Sequence, residues 1–133
     1  MIPKFRAYSV EENIMYYPDD DKNVEWTIDD DTGFIAPLIN LENGMWGMID
    51  KYVLMQSTGL KDKNGVEIFE GDVLYYIPFE SHINDSIVVF EKGSFCKKML
   101  RNGKLTSVRF IDSEEYEVIG NVYENPELLE VAE

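Results

Sequence analysis

Cysteine is almost missing from this chain. Cys96 is the single one in 133 residues, so no intramolecular disulfide framework can form and a reducing cytosol is the natural compartment. Histidine is as scarce: His82 stands alone, which leaves too few ligands for a transition-metal centre. No apolar run is long enough to cross a bilayer and no Lys/Arg-led apolar leader opens the chain, so neither a membrane span nor a signal peptide is expected. Basic residues are short too, 12 Lys and Arg against 26 Asp and Glu, a net charge of −14. A field of that sign repels phosphate backbones, so nucleic acid is not the expected partner. With no phosphate-cradling glycine loop and no Ser-His-Asp set in a recognisable context, no catalytic residue, cofactor or metal ligand is assigned, and a non-enzyme is expected.

What is present is a globular, aromatic-rich composition. Hydrophobic residues make up 44% and aromatics 13%, a mixture that suits strands better than helices and, at this length, one domain. Lys4–Ser9 alternates with a period of two, with Phe5 and Ala7 on one side and Lys4 and Arg6 on the other. Strands are also expected at Ile14–Tyr17, Val24–Ile28 and Phe34–Leu38, with Pro37 marking an edge or an end. Residues 40–50 read as a loop whose Trp46 plugs the core. Tyr52–Gln56 is expected as a strand broken by Ser57-Thr58-Gly59, with Leu60 returning to the core. Asn64-Gly65 and Asn102-Gly103 are hairpin signals, the first predicting a type I′ turn with positive φ at both residues.

After Gly71 come Asp72–Ile77, Ser86–Glu91, a Lys92-Gly93 turn, Ser94–Arg101, Lys104–Ile111 and Tyr116–Ile119, with Gly120 as a bulge. Ser113 is the expected cap of a turn, and Asn125 the cap of a helical start at Pro126. About five short strands from residue 52 onward, with no helix long enough for a crossover, predict a mainly β fold: a small, partly open antiparallel barrel over 48–133 and an N-terminal β meander over 1–47.

One stretch runs against the overall charge. Lys92, Lys97, Lys98, Arg101, Lys104 and Arg109 fall in eighteen residues with no acidic neighbour, and Phe95, Tyr75, Tyr76 and Phe110 are interleaved around them. A solvated hairpin face accounts for this. The rival reading is a single-stranded nucleic-acid-binding barrel using hairpin 92–109, since small barrels combine aromatic platforms with a positive groove. Asp31-Thr32-Gly33 spells the aspartic-protease tripeptide, but Asp29 and Asp30 place charge where an apolar strand should lead in, and an Asp-rich turn explains all three. The loop from Asp29 lacks the EF-hand order, and although Asp19–Asp21 and Asp29–Asp31 could converge at one end of the sheet, both read as solvated loops. His82 has no partner in view, and Cys96 is expected to face the barrel interior or its edge.

Three blocks carry a resemblance: Ile2-Pro3-Lys4-Phe5-Arg6-Ala7; Leu54 to Gly65 with Glu67 to Asp72; and Val118 to Leu129. In that order they resemble the YopX family of small proteins encoded by bacteriophages and prophages of Gram-positive bacteria. The resemblance implies a mainly β fold with an SH3-like barrel in its later part, a phage or prophage origin and expression in the cytoplasm of a bacterial host. It implies no reaction and carries no site residue. The expected role is a non-enzymatic accessory protein that binds a protein partner or self-associates as a homo-oligomer, its acidic surface suiting a basic partner.

Overall fold

The computed structural model describes residues 4–18, 24–28, 35–41, 45–48, 52–79 and 81–130. They form antiparallel strands joined by tight turns and single 3-10 turns, a mainly β fold as expected. The chain divides into two compact units, Met1–Gln56 and Ser57–Glu133.

In the first unit, β1 (Phe5–Ser9) pairs with β2 (Ile14–Tyr16) and with the opening half of β6, Tyr52–Gln56. The β1–β2 loop closes on Asn13, whose φ of 58° is tolerated by a short polar side chain. The Asn13 amide donates to the Ser9 carbonyl at 2.8 Å, and its Oδ1 accepts from the Tyr8 hydroxyl. Arg6 is 3% exposed, so both faces of β1 are covered and not only the Phe5/Ala7 face. The ring of Phe5 meets that of Trp26 edge-on at 6.1 Å. A second sheet joins β3 (Val24–Ile28), β4 (Ile35–Leu41) and β5 (Met45–Met48).

Two expectations are corrected here. Residues 45–48 are a strand rather than part of a loop. Pro37 lies inside the central strand β4, opposite Trp26 and one residue short of the ladder to β5, which begins at Leu38, so it is flanked by paired backbone on one side only. The Asp-rich segments 19–21 and 29–31, with the tripeptide ending at Gly33, lie outside the described residues, as does the side chain of Trp46.

β6 (Tyr52–Lys61) does not end at Ser57-Thr58-Gly59. The strand bulges there, with Gly59 at φ 83°, and side chains replace the missing ladder bonds. Ser57 Oγ accepts from the Gly59 amide at 3.0 Å. Thr58 Oγ1 accepts from Leu60 N at 3.1 Å and donates to the Ile68 carbonyl at 2.8 Å. The strand then pairs with β7 (Glu67–Phe69) around a hairpin that is not type I′. Only Gly65 has positive φ, and Gly65 N reaches Asp62 O at 3.0 Å, a β-turn followed by a left-handed glycine. The buried Asp62 carboxylate decides this form: Oδ1 accepts from Asn64 N and Val66 N at 2.8 Å each, and Oδ2 from Val118 N at 2.9 Å.

Within the second unit, β8 (Asp72–Tyr76), β9 (Ser86–Glu91), β10 (Ser94–Met99), β11 (Leu105–Ser107) and β12 (Tyr116–Asn121) form a curled sheet in the order β11-β10-β9-β8-β12. From residue 52 onward there are seven strands rather than about five. The core is Ile68, Leu74, Val88 and Tyr116, with Leu60, Tyr76, Ile111 and Val118 packed against it. A bulge between Val118 and Gly120 brings β12 against the C-terminal 3-10 turn Pro126–Leu129. A Cβ on Gly120 would lie 2.5 Å from Asn125 Oδ1 and 2.7 Å from Leu128 Cδ1. Asn125 holds the N-cap position of that turn, as expected, but its side chain makes no capping hydrogen bond; its Oδ1 accepts from Asn121 N at 3.3 Å instead.

Candidate functional site

Strand register builds the site. Antiparallel partners share a face, so Phe90 with Phe95, Val88 with Lys97 and Thr106, and Ser86 with Met99 lie on one face of β9, β10 and β11. Val88 belongs to the core, so this is the concave face of the second unit. The stripe leaves the core at the Lys92-Gly93 hairpin, where Phe90 and Phe95 pack edge-on at 5.0 Å and Phe90 stays 52% exposed.

At the other end of the stripe a cavity of about 370 Å³ opens, lined by strand residues Tyr76, Lys97, Met99, Thr106 and Tyr116. Three 3-10 turns make its rim. His82–Asn84 supplies Asn84; Val108–Phe110, followed by Ile111, supplies Phe110; Ser113–Glu115 supplies Glu115, with Asp112 at its head. Each turn is held by a short polar side chain that accepts a backbone amide: Ser81 from Ile83 N, Ser107 from Arg109 N and Asp112 from Glu114 N. The cap of the third turn is therefore Asp112 rather than Ser113. Tyr76 and Tyr116 lie 5.3 Å apart, the Lys97 ammonium is 5.3 Å from the Tyr116 ring centre, and Phe110 is 81% exposed at the rim. Among the described residues Lys97 forms no ion pair with Asp112 or Glu115, its other polar neighbour being Met99 sulfur at 4.0 Å.

The six basic residues singled out in the sequence are spread over the unit. Lys97 alone lines the cavity. Lys98 points to the opposite face, opposite Ile87 and Leu105, with its ammonium 3.9 Å from Glu91 Oε1. Lys92 sits in the β9–β10 turn, Arg101 and Lys104 near the β10–β11 turn, and Arg109 in a 3-10 turn, all exposed. Of the interleaved aromatics, Tyr76 and Phe110 line the cavity, while Tyr75 packs on His82 at 4.8 Å. Cys96 is buried on the face opposite Lys97, between Val89 and Ser107.

His82, which has no partner in the sequence pattern, has one in space: its Nδ1 is 2.9 Å from Asp85 Oδ2. Burial pushes the Asp85 carboxyl above its ordinary value, and the hydrogen bond and charge of His82 pull it part of the way back. Sequence pattern alone does not single out Tyr116, Met99, Thr106, Asp112 or Glu115. The available signal was the period of β10, which sets Lys97 between Phe95 and Met99 on a face that register makes concave.

The YopX protein family profile matches residues 4–130. In structure the chain is similar to protein EF1440 from Enterococcus faecalis, with 36% identity, a TM-score of 0.66 and coverage of 98% of this chain and 99% of that one. It is also similar to protein yopX from Bacillus subtilis, with 25% identity, a TM-score of 0.68 and coverage of 96% and 98%. No curated protein matches it. A profile match over almost the whole length, together with two solved structures of similar fold, makes this chain a member of the YopX family.

Proposed function

We propose that this chain is a non-enzymatic phage or prophage accessory protein, a protein-interaction module that works in the cytoplasm of a bacterial host. The observation that carries the reading is the concave stripe of the second unit, from the exposed Phe90, packed on Phe95, to the cavity rimmed by Phe110. Exposed aromatics beside a preformed concavity are what anchors partner side chains in protein interfaces. The charge of −14 speeds approach of a basic partner and slows an acidic one.

The test is a tagged protein expressed in its host and recovered beside Phe90→Ser and Phe110→Ala variants, with Leu129→Ser as an exposed control outside the stripe. A stoichiometric protein retained by wild type and control and lost from both stripe variants is the expected result. Light scattering on the same preparations reads the alternative in which the partner is a second copy of the chain: a discrete oligomer dissolved by the same substitutions.

A second reading, single-stranded nucleic-acid binding, draws support from the Lys97 ammonium beside Tyr76 and Tyr116. It requires salt-sensitive oligonucleotide binding that Lys97→Ala abolishes.

A further inference from the structure

We infer that the cavity at the end of the concave stripe receives an arginine side chain from a basic partner segment; this rests on the interaction reading above and names what the site recognises. Charge decides the sign of the guest. The cavity is lined by one lysine and two carboxylates, Asp112 and Glu115, and neither carboxylate is in an ion pair with that lysine among the described residues. The lining is thus net negative, in a unit with eight basic and fifteen acidic residues over 57–133. An anionic guest would enter against the charge of both the lining and the unit, a cationic one with them.

Shape decides which cation. The lining offers aromatic surface beside acceptors; Tyr116 already carries the Lys97 ammonium on its ring and Tyr76 packs 5.3 Å from it, so the exposed Phe110 ring is the face that remains for a guest. A planar guanidinium can stack on an aromatic ring while donating two parallel hydrogen bonds to a carboxylate; a lysine ammonium, a strongly hydrated point charge, does neither as well. The arginine stem would lie over Met99 and Ile111, the apolar part of the wall. The rest of the segment follows the stripe toward Phe90 and Phe95. Lys97 is then a like charge beside the guest. Its removal should tighten binding, the opposite of what an anionic ligand requires.

The experiment is selection of a random-peptide display library on the full chain. Enriched peptides are then titrated as synthesised, with arginine replaced by lysine, and with arginine replaced by its uncharged isostere citrulline. The expected result is a family of peptides sharing one arginine. Citrulline in its place, or the paired substitutions Asp112→Asn and Glu115→Gln, weaken binding about tenfold or more, as loss of a charge-assisted bond implies. Lys97→Met strengthens it, and amide shifts of Thr106 and Phe110–Tyr116 follow the titration. Asparagine keeps the cap oxygen that Glu114 N needs, so the paired variant still folds, which its unfolding curve checks. Enriched peptides without arginine, indifferent to the paired variant but lost in Phe90→Ser, overturn the arginine pocket and leave the interaction stripe standing. No enrichment over an unrelated protein overturns both.

Discussion

At Asp62 one buried carboxylate serves three backbone donors in two elements, Asn64 and Val66 in its own hairpin and Val118 on the last strand. Truncation would remove all three acceptances at once, at a carboxylate that is itself buried. Asp62→Ala is therefore expected to cost about 2–4 kcal/mol, with Asp62→Asn in between, measured as the shift of the urea midpoint. Asp85 makes the opposite kind of contribution. Burial raises its folded-state pKa above the ordinary value, so the folded chain holds that proton more tightly than the unfolded one. The sign follows: stability is greatest with the carboxyl protonated and falls as pH rises from the ordinary value of 3.8 through the raised one. Asp85→Asn cannot titrate and should flatten that decline in unfolding curves recorded across acid pH. Neither role could be extracted from the chain alone. The bond from Asp62 to Val118 spans 56 positions.

Among the elements, hairpins show how local signals are overruled. Both Asn-Gly pairs sit in turns where only the glycine has positive φ, while the turn with both central residues positive is Lys92-Gly93, at φ 54° and 80°. At the first Asn-Gly the Asp62 carboxylate holds the Asn64 amide; at the second, Asn102 Oδ1 accepts from Lys104 N at 2.9 Å. Lysine pays the steric penalty of the left-handed region that asparagine largely escapes. Lys92→Asn is expected to stabilise the protein by about 0.5–1 kcal/mol, read as a raised midpoint in thermal or urea unfolding. Strand existence was legible from alternation almost everywhere. Continuity was not, because Ser57-Thr58-Gly59 is a stop by composition and becomes a bulge only when Ile68 supplies a carbonyl across the pair.

For the whole molecule, the charge of −14 is self-repulsive, and screening should relieve it. Raising sodium chloride from about 10 to about 200 mM, over which the Debye length falls from about 30 to below 10 Å, is expected to raise the thermal midpoint; a flat response would mean that local ion pairs outweigh the net field. That charge, the aromatic content, the two-residue periods and the turn residues are properties of the linear chain, and they sufficed for an antiparallel, mainly β fold and for the family blocks. The site depended on tertiary structure. Alternation says that Lys97 and Lys98 point to opposite faces, but not which face is concave. Only the curl of the sheet, and the closing of Asp62 and Lys63 onto β12, put Lys97 with Tyr76, Tyr116, Asp112 and Glu115 around one cavity and leave Lys98 outside it. The physical reason is range: a period is set by neighbours along the backbone, whereas a pocket is set by which distant strands share a core.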